Sequence, residues 1–488
     1  MTGSAATGRR AGVANLAAGL TKGPVEVLDF VLPLWAGSAL GLSPAAIGAL
    51  TATETLVSFL GRPVAGVLAD RFDRGRLAAA GAFLYALSFV GYALSTGLPA
   101  ALGAAVAGGV GGALFWVALR AKVAERLTED SGVFAKLFAA EGTGTWIAFA
   151  AAVTLVSRID YAGVFWLCAA ACAAAGVVLV GKADPPSTAT TTATPRLGGL
   201  TRRMRPLLGV VVLTAVAEAG VALLLLLHLQ RNYQLGLGAI AAVFLPGFIV
   251  YSTVPEFLHG VVTRLGRARV MTVALISSAL FAGILSLAPN PWTIAIAWVL
   301  AAAAFAAAVP VEQSVVAEAA GVDLGRGMAI YESANLLGAT IGTLGAGLLY
   351  GLENGWVIAC LSAAALLLVA SAVIRPALAG VGAVDRPEPP ETKETVEEEP
   401  EEESEEKVKI PPLNAWAGHA VIYVVAQIAL AIAGYSWPVE AVFGGPHDAS
   451  WFWNSSGHWL LNIGRIWTAI FLLDTVWSLG KVFLTRRR

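Results

Sequence analysis

Charge is what this 488-residue sequence has least of: 13% of its residues are charged, about half the share of a soluble domain. The length alone would suggest roughly three soluble domains. With 57% hydrophobic residues and a mean hydropathy of +0.72, the chain lacks the polar surface to cover them. It is also too apolar to be disordered. A formal net charge of −1, with no basic domain, excludes nucleic-acid binding. Three cysteines exclude a disulfide scaffold. Cys168 and Cys172 share one apolar run and Cys360 lies in another, so they read as buried thiols. The sequence has no Cys/His spacing for a metal and no Gly-Lys-Ser/Thr phosphate loop. No cofactor is therefore expected. Without a nucleophile–base constellation, neither is an enzyme.

Long apolar runs are abundant. Stretches of about 18–25 residues suffice to cross a hydrocarbon core of roughly 30 Å. Twelve centre near residues 27, 56, 87, 108, 146, 170, 217, 249, 278, 300, 338 and 363, with turns such as Gly41–Pro44, Gly97–Pro99 and Ala288–Pro291 between pairs. No cleavable signal peptide is expected. Two polar breaks interrupt the series. The first contains PPSTATTTATP and a basic TRRMR run; the second contains PEPPETKETVEEEPEEESEEK, whose eleven glutamates repel one another and cannot build a core. The expected plan is an all-α membrane protein: a six-helix bundle over 1–182, a linker over 183–205, a second six-helix bundle over 206–380, an acidic linker over 381–412, and a Trp-rich two-helix extension over 413–488. That makes fourteen spans. With the N-terminus inside, all of the 32 Lys/Arg except Arg158, Arg231 and Arg465 fall in cytoplasmic segments or at cytoplasmic helix ends. The positive-inside rule then places both termini in the cytoplasm, in a cytoplasmic (inner) membrane.

The two halves before residue 380 echo each other. The loop after span two reads GVLADRFDRGRL from Gly66, and the loop after span eight reads GVVTRLGRARV from Gly260, 194 residues on. Glu26 matches Glu218 at an offset of 192, and Glu141 matches Glu332 at 191. Parallel repeats of this kind describe one large transporter architecture.

The first loop resembles the signature of the major facilitator superfamily, usually G-x-L-A-D-R-x-G-R-R between helices two and three. Gly66, Asp70, Arg71, Arg74, Gly75 and Arg76 carry the resemblance, with Asp73 as an extra residue. The second copy, Gly260, Arg264, Gly266 and Arg267, lacks the Asp. The resemblance implies two six-helix bundles around a central cavity lined by helices one, four, seven and ten. It implies that Asp70 faces the start of helix eleven near Gly325–Gly327, where a carboxylate gains about 0.3–1 kcal/mol from the helix dipole. Span four has no Arg before Arg120 and span five has Glu141-Gly-Thr-Gly without proline. Both features argue against a drug/proton antiporter.

A charged side chain at the bilayer centre costs on the order of 2.5–3.5 kcal/mol. Glu26, Asp29, Glu54, Glu141, Glu218 and Glu332 lie within the spans, and Glu256 and Glu312 nearer span ends. Few basic residues sit at matching depth, so most of these acids are expected without an ion-pair partner. Such carboxyl groups take up protons and exchange them as a cavity alternates. Glu26 and Asp29, three apart on one helix face, would titrate as a pair. Glu141 and Glu332, at the start of their spans, either cap those helices or face the cavity. His228 reads as an interfacial anchor. Gly338, Gly342, Gly345 and Gly347 read as a small-residue packing face. Trp35, Trp116, Trp146 and Tyr331 are interfacial aromatics by default.

In the extension, Trp451, Phe452, Trp453 and Trp459 suit a membrane-interface belt, and His419 and His458 stand near opposite faces. The expected function is a secondary transporter for a small organic solute. It would work by alternating access with proton coupling, export favoured over uptake, and the lipid bilayer as its other partner. The alternative is a transporter-like scaffold that docks a membrane-protein partner, or a second copy of itself, through residues 413–488.

Overall fold

The computed structural model describes residues 2–124, 133–180, 197–253, 262, 264–306, 308–320, 324–386, 420, 423–424, 427, 430–431, 435–444 and 459–485. Two compact units divide the chain, Met1–Glu388 and Pro389–Arg488. Among the described residues there is no strand.

The first unit contains α1 (Thr2–Ser38), α2 (Pro44–Arg71), α3 (Arg74–Leu94), α4 (Leu98–Ala124), α5 (Val133–Val180), α6 (Leu197–Arg231), α7 (Leu237–Thr253), α8 (Arg267–Leu285), α9 (Pro291–Phe305), α10 (Ala308–Ala320), α11 (Leu324–Tyr350) and α12 (Gly355–Val381). Local chemistry sets the joints. Ser43 accepts from the Ala46 N–H at 3.2 Å with Pro44 opening α2. Asn290 accepts from the Thr293 N–H at 3.0 Å with Pro291 opening α9. Both pair a polar N-cap with a proline whose missing N–H costs nothing there.

α5 runs for 48 residues, roughly 70 Å of helix and far more than one bilayer core. It is two helices joined at a kink at Asp160, whose φ of 54° and ψ of −176° are not helical.

Among the described residues, six helical segments are long and apolar enough to cross a membrane: Arg74–Leu94, Leu98–Val123, Ile159–Val180, Arg202–Arg231, Arg267–Leu285 and Gly355–Val381. Large apolar side chains such as Leu60, Val64, Leu87, Leu280 and Leu300 point outward, each at least 58% exposed. That surface suits acyl chains and not water.

Packing follows a repeated pattern. α1 packs on α5, α2 on α4, and α3 on α4 and α5; correspondingly α6 packs on α11, α7 on α9, and α8 on α9 and α12. One buried cluster is drawn chiefly from residues 14–179 and a second from 204–381. α2 and α11 join the two sets along their length. Their backbones meet at Gly48 and Gly347: a Cβ on Gly48 would stand 2.9 Å from the Gly347 Cα. The glycines of α11 therefore do not form one face. Gly338 and Gly342 admit the backbone of α6, and Gly347 admits α2.

In the second unit, α13 (Trp437–Phe443) precedes α14 (Trp459–Thr485). The Tyr423 ring stacks on Phe471 at 4.3 Å and its hydroxyl meets Thr468 at 2.8 Å. Ser436 donates to Gln427 at 2.9 Å, and the Arg465 guanidinium lies 5.9 Å from the Trp437 ring centroid. Among the described residues of α14, Trp467–Val476 forms a short apolar stretch. Trp451, Phe452, Trp453, His419 and His458 lie outside the described residues.

Candidate functional site

The sparse charges inside the helices gather toward the end of the first unit where α2 meets α3. On α1, Lys22 and Glu26 form an i,i+4 pair at 2.6 Å. Arg120 of α4 reaches Glu332 of α11 at 3.0 Å, and Arg62 of α2 reaches the other oxygen of the same carboxylate at 3.7 Å. Both arginines are buried. Glu332 thus bridges the two sets of helices. The expectation that most membrane acids lack basic partners is overturned for Glu26 and Glu332.

Glu141 and Glu332 each stand eight residues beyond the first residue of their helices, Val133 and Leu324. That is two turns too deep to cap them, so both face the charge cluster. Glu141 is buried in the field of Arg120, Lys22, Glu332 and Glu26, and its Oε1 has no hydrogen-bond partner among the described residues. Trp116 lies beneath the cations, with Arg120 at 5.5 Å and Lys22 at 5.9 Å from its ring centroid. Such contacts contribute about 0.5–2 kcal/mol.

The remaining acids continue this arrangement along the bundle. Asp29 lies in the field of Glu26 and Lys22 and acts in turn on Glu54, which accepts from the Tyr92 hydroxyl at 3.2 Å. Glu312 accepts from the Tyr331 hydroxyl at 3.0 Å and lies near Glu218. Tyr251 of α7 feels Glu218, Glu26, Glu312 and Lys22 together, so acids of both helix sets border one space. Asp29 and Glu218 are solvent-accessible although mid-helix and ringed by other helices. Side chains so placed face a water-accessible cleft.

The signature loop is built differently from the expected clamp. Among the described residues Asp70 pairs only with Arg74, at 3.9 Å, and its side chain is 80% exposed. The additional residue, Asp73, is the N-cap of α3, accepting from the Arg76 N–H at 2.7 Å. Arg74 donates to the carbonyls of Ala69 and Ala121, tying the ends of α2 and α4 together. Gly75 leaves room for Lys122, and Arg71 and Arg76 are exposed. In the second copy Gly260 lies outside the described residues and Arg264 is exposed. Gly266 takes a φ of 88°, a conformation suited to glycine. Buried Arg267 pairs bidentately with Glu318 at 2.5 and 2.7 Å. The Asp missing from this copy is replaced from afar: Asp385, beyond α12, accepts from the Ala268 N–H at 2.8 Å.

At the opposite end, Gln230 of α6 donates to the Leu34 carbonyl of α1 at 2.7 Å, and Arg231 donates to the Leu42 carbonyl. His228 stacks flat on Trp356 at 3.8 Å. Midway, the hydroxyls of Thr55 and Thr340 meet at 2.8 Å between α2 and α11.

The sequence matches the family model of the Major Facilitator Superfamily over residues 15–258 and 207–473. The chain belongs to the Major Facilitator Superfamily. It is a membrane transporter and not an enzyme. No curated protein gives a significant match. Solved structures of similar fold include the nucleoside transporter NupG, at 14% identity and TM-score 0.60, covering 75% of this chain and 98% of that one. A D-xylose–proton symporter matches at 15% identity and TM-score 0.61, covering 75% and 96%. An auto-inhibited POT family peptide transporter matches at 13% identity and TM-score 0.61, covering 78% and 99%.

Within this superfamily chain, sequence reasoning missed Lys22, Arg62, Arg120, Glu318 and Asp385. Two signals were available. Lys22 and Glu26 have ion-pair spacing on a helix. Arg120 and Glu312 lie 192 residues apart, the offset that relates Glu26 to Glu218.

Proposed function

We propose that this chain is a secondary transporter that moves a small organic solute by alternating access, coupled to protons through its membrane carboxylates. The proposal includes twelve spans in two six-helix bundles over 1–182 and 206–380, joined by the 183–205 linker. Two further spans in 413–488 follow the acidic tether 381–412. Both termini lie in the cytoplasm, the membrane is the inner one, and export is favoured.

The observation that carries this reading is the shared carboxylate of Glu332, held by Arg120 at 3.0 Å and Arg62 at 3.7 Å. It ties the two helix sets at the end read as cytoplasmic, while the hydrogen bonds from Gln230 and Arg231 tie them at the other. Rocking of one set against the other must break one group of contacts while keeping the other. Between them Glu26, Asp29, Glu54 and Glu218 border the water-accessible space through which a proton would be exchanged. Arg71 and Arg76, exposed at the signature loop, suit lipid phosphates.

The test is transport in proteoliposomes under an imposed pH gradient, with a solute identified by thermal shift. Glu26→Gln and Glu218→Gln are each expected to reduce gradient-driven accumulation by at least about tenfold while leaving solute exchange measurable. Full gradient-driven transport in both variants refutes proton coupling at these residues. Stoichiometric co-purification with another membrane protein, lost on deleting residues 381–488 and without any solute transport, would favour a scaffold.

A further inference from the structure

The charge cluster contains hydrogen-bonding capacity that the protein does not use. Arg62 and Arg120 are each only 9% exposed, yet among the described residues the Nε–H of both has no hydrogen-bond partner, and neither has Arg120 Nη1, whose 3.0 Å contact with Glu332 is an ion pair. Glu141, 6% exposed, has an Oε1 with no hydrogen-bond partner among the described residues. Buried polar groups are ordinarily satisfied, and unfilled ones call for an explanation. Here unfilled donors and an unfilled acceptor lie in one cluster, with Glu141 in the field of Arg120. The cluster also has a way in, because the side chains of Lys22, Glu26 and Glu332 are 34%, 32% and 26% exposed.

Both guanidinium groups belong to α2 and α4, while their shared carboxylate belongs to α11. Any rocking that separates these helix sets withdraws Glu332 and, among the described residues, leaves Arg62 with no neighbouring carboxylate and Arg120 with only Glu141. That is strongly unfavourable unless another anion takes the vacated position. The geometry already shows what fits: a carboxylate with one oxygen toward each arginine, at 3.0 Å from Arg120 and 3.7 Å from Arg62. Glu141 adds a second requirement. A carboxylate oxygen accepts hydrogen bonds, so whatever fills Oε1 must donate. Trp116, beneath Arg120 and Lys22, gives the position an apolar floor.

We propose that the transported solute is a small carboxylate bearing an amino or hydroxyl group, with its carboxylate replacing that of Glu332 between Arg62 and Arg120 and its donor group reaching Glu141. Glu332 is then an internal competitor, and solute binding opens the bridge that holds the helix sets together. This inference rests on the transporter reading above and specifies its substrate class.

The experiment uses the purified full-length chain. Thermal shift and proteoliposome uptake are measured with the twenty common amino acids, the corresponding 2-hydroxy acids, the amino acids' primary amides, and inorganic phosphate. At least one acid is expected to bind, with its amide weaker by about tenfold or more. Arg62→Gln and Arg120→Gln should each lose about tenfold or more in affinity for that acid. Glu332→Gln should gain about tenfold, because it removes the competitor; a purely structural role for Glu332 gives no gain. Because that readout is a gain, it stands even where an arginine variant folds poorly. Amides binding as well as acids, phosphate binding alone, an affinity loss in Glu332→Gln, or no acid binding at all would overturn the proposal. Transport of a neutral or cationic solute unaffected by Arg62→Gln overturns the carboxylate assignment and leaves the transporter reading standing. An acid that binds with this mutational pattern but is never moved defeats the transporter reading alone.

Discussion

Equivalent positions of the two helix sets carry unlike chemistry. Arg120 on α4 and Glu312 on α10 are 192 residues apart, and Glu141 on α5 and Glu332 on α11 are 191 apart. Glu312 on α10 is settled within its own set, where it accepts from Tyr331 at 3.0 Å. Its counterpart Arg120 on α4 is not: it reaches across to Glu332 at 3.0 Å, and among the described residues Glu141 Oε1 has no hydrogen-bond partner. Similar packing has thus been kept while the charges have diverged. The base that α10 lacks is spent on joining one helix set to the other. One set supplies cations and the other the carboxylate they share, which makes the contact between them sensitive to anything that competes for that charge.

The most disruptive way to break this comparison is to make α4 like α10. Arg120→Glu places a carboxylate against Glu332 and Glu141 with only Arg62 and Lys22 to offset it. A loss of about 3–5 kcal/mol or more is expected, read as a large fall in Tm and in monodisperse yield, with partial recovery in Arg120→Glu/Glu332→Arg. Gly48→Val comes next. It forces a Cβ toward the Gly347 backbone and should cost about 1–3 kcal/mol, measurable by thermal unfolding in detergent. Glu312→Gln retains an acceptor for Tyr331 and should cost about 1 kcal/mol or less, sharpening the contrast with Arg120. Asp70→Asn should be smallest, within about 0.5 kcal/mol, because Asp70 is 80% exposed and among the described residues pairs only with Arg74, at 3.9 Å. A large stability loss there would restore the clamp that the loop resemblance implies.

Membrane residence, the helical class and the superfamily were legible in the sequence, because low charge, apolar run length and the Gly66–Leu77 loop are local signals. The turns at Gly41–Pro44 and Ala288–Pro291 were legible for the same reason, each having a polar cap followed by proline. The partners of the buried acids were not. Arg62 and Arg120 meet Glu332 across more than two hundred residues of sequence, and no local pattern encodes that contact. Asp73 looked like an insertion until its carboxylate was seen capping α3. Asp385 fell in what read as the start of a linker, yet it caps α8. Glycine spacing in α11 suggested one face, whereas Gly342 and Gly347 serve different neighbours. Spacing marks where backbones can approach but not which backbone does so.

The central claim is that Glu332 holds the two helix sets together through Arg120. A double-mutant cycle tests it most directly, comparing the thermal stability of the wild type, Arg120→Gln, Glu332→Gln and the double variant. The predicted result is a coupling of about 1–3 kcal/mol, with the double variant more stable than the sum of the single losses implies. Single effects that add to within about 0.5 kcal/mol would contradict it.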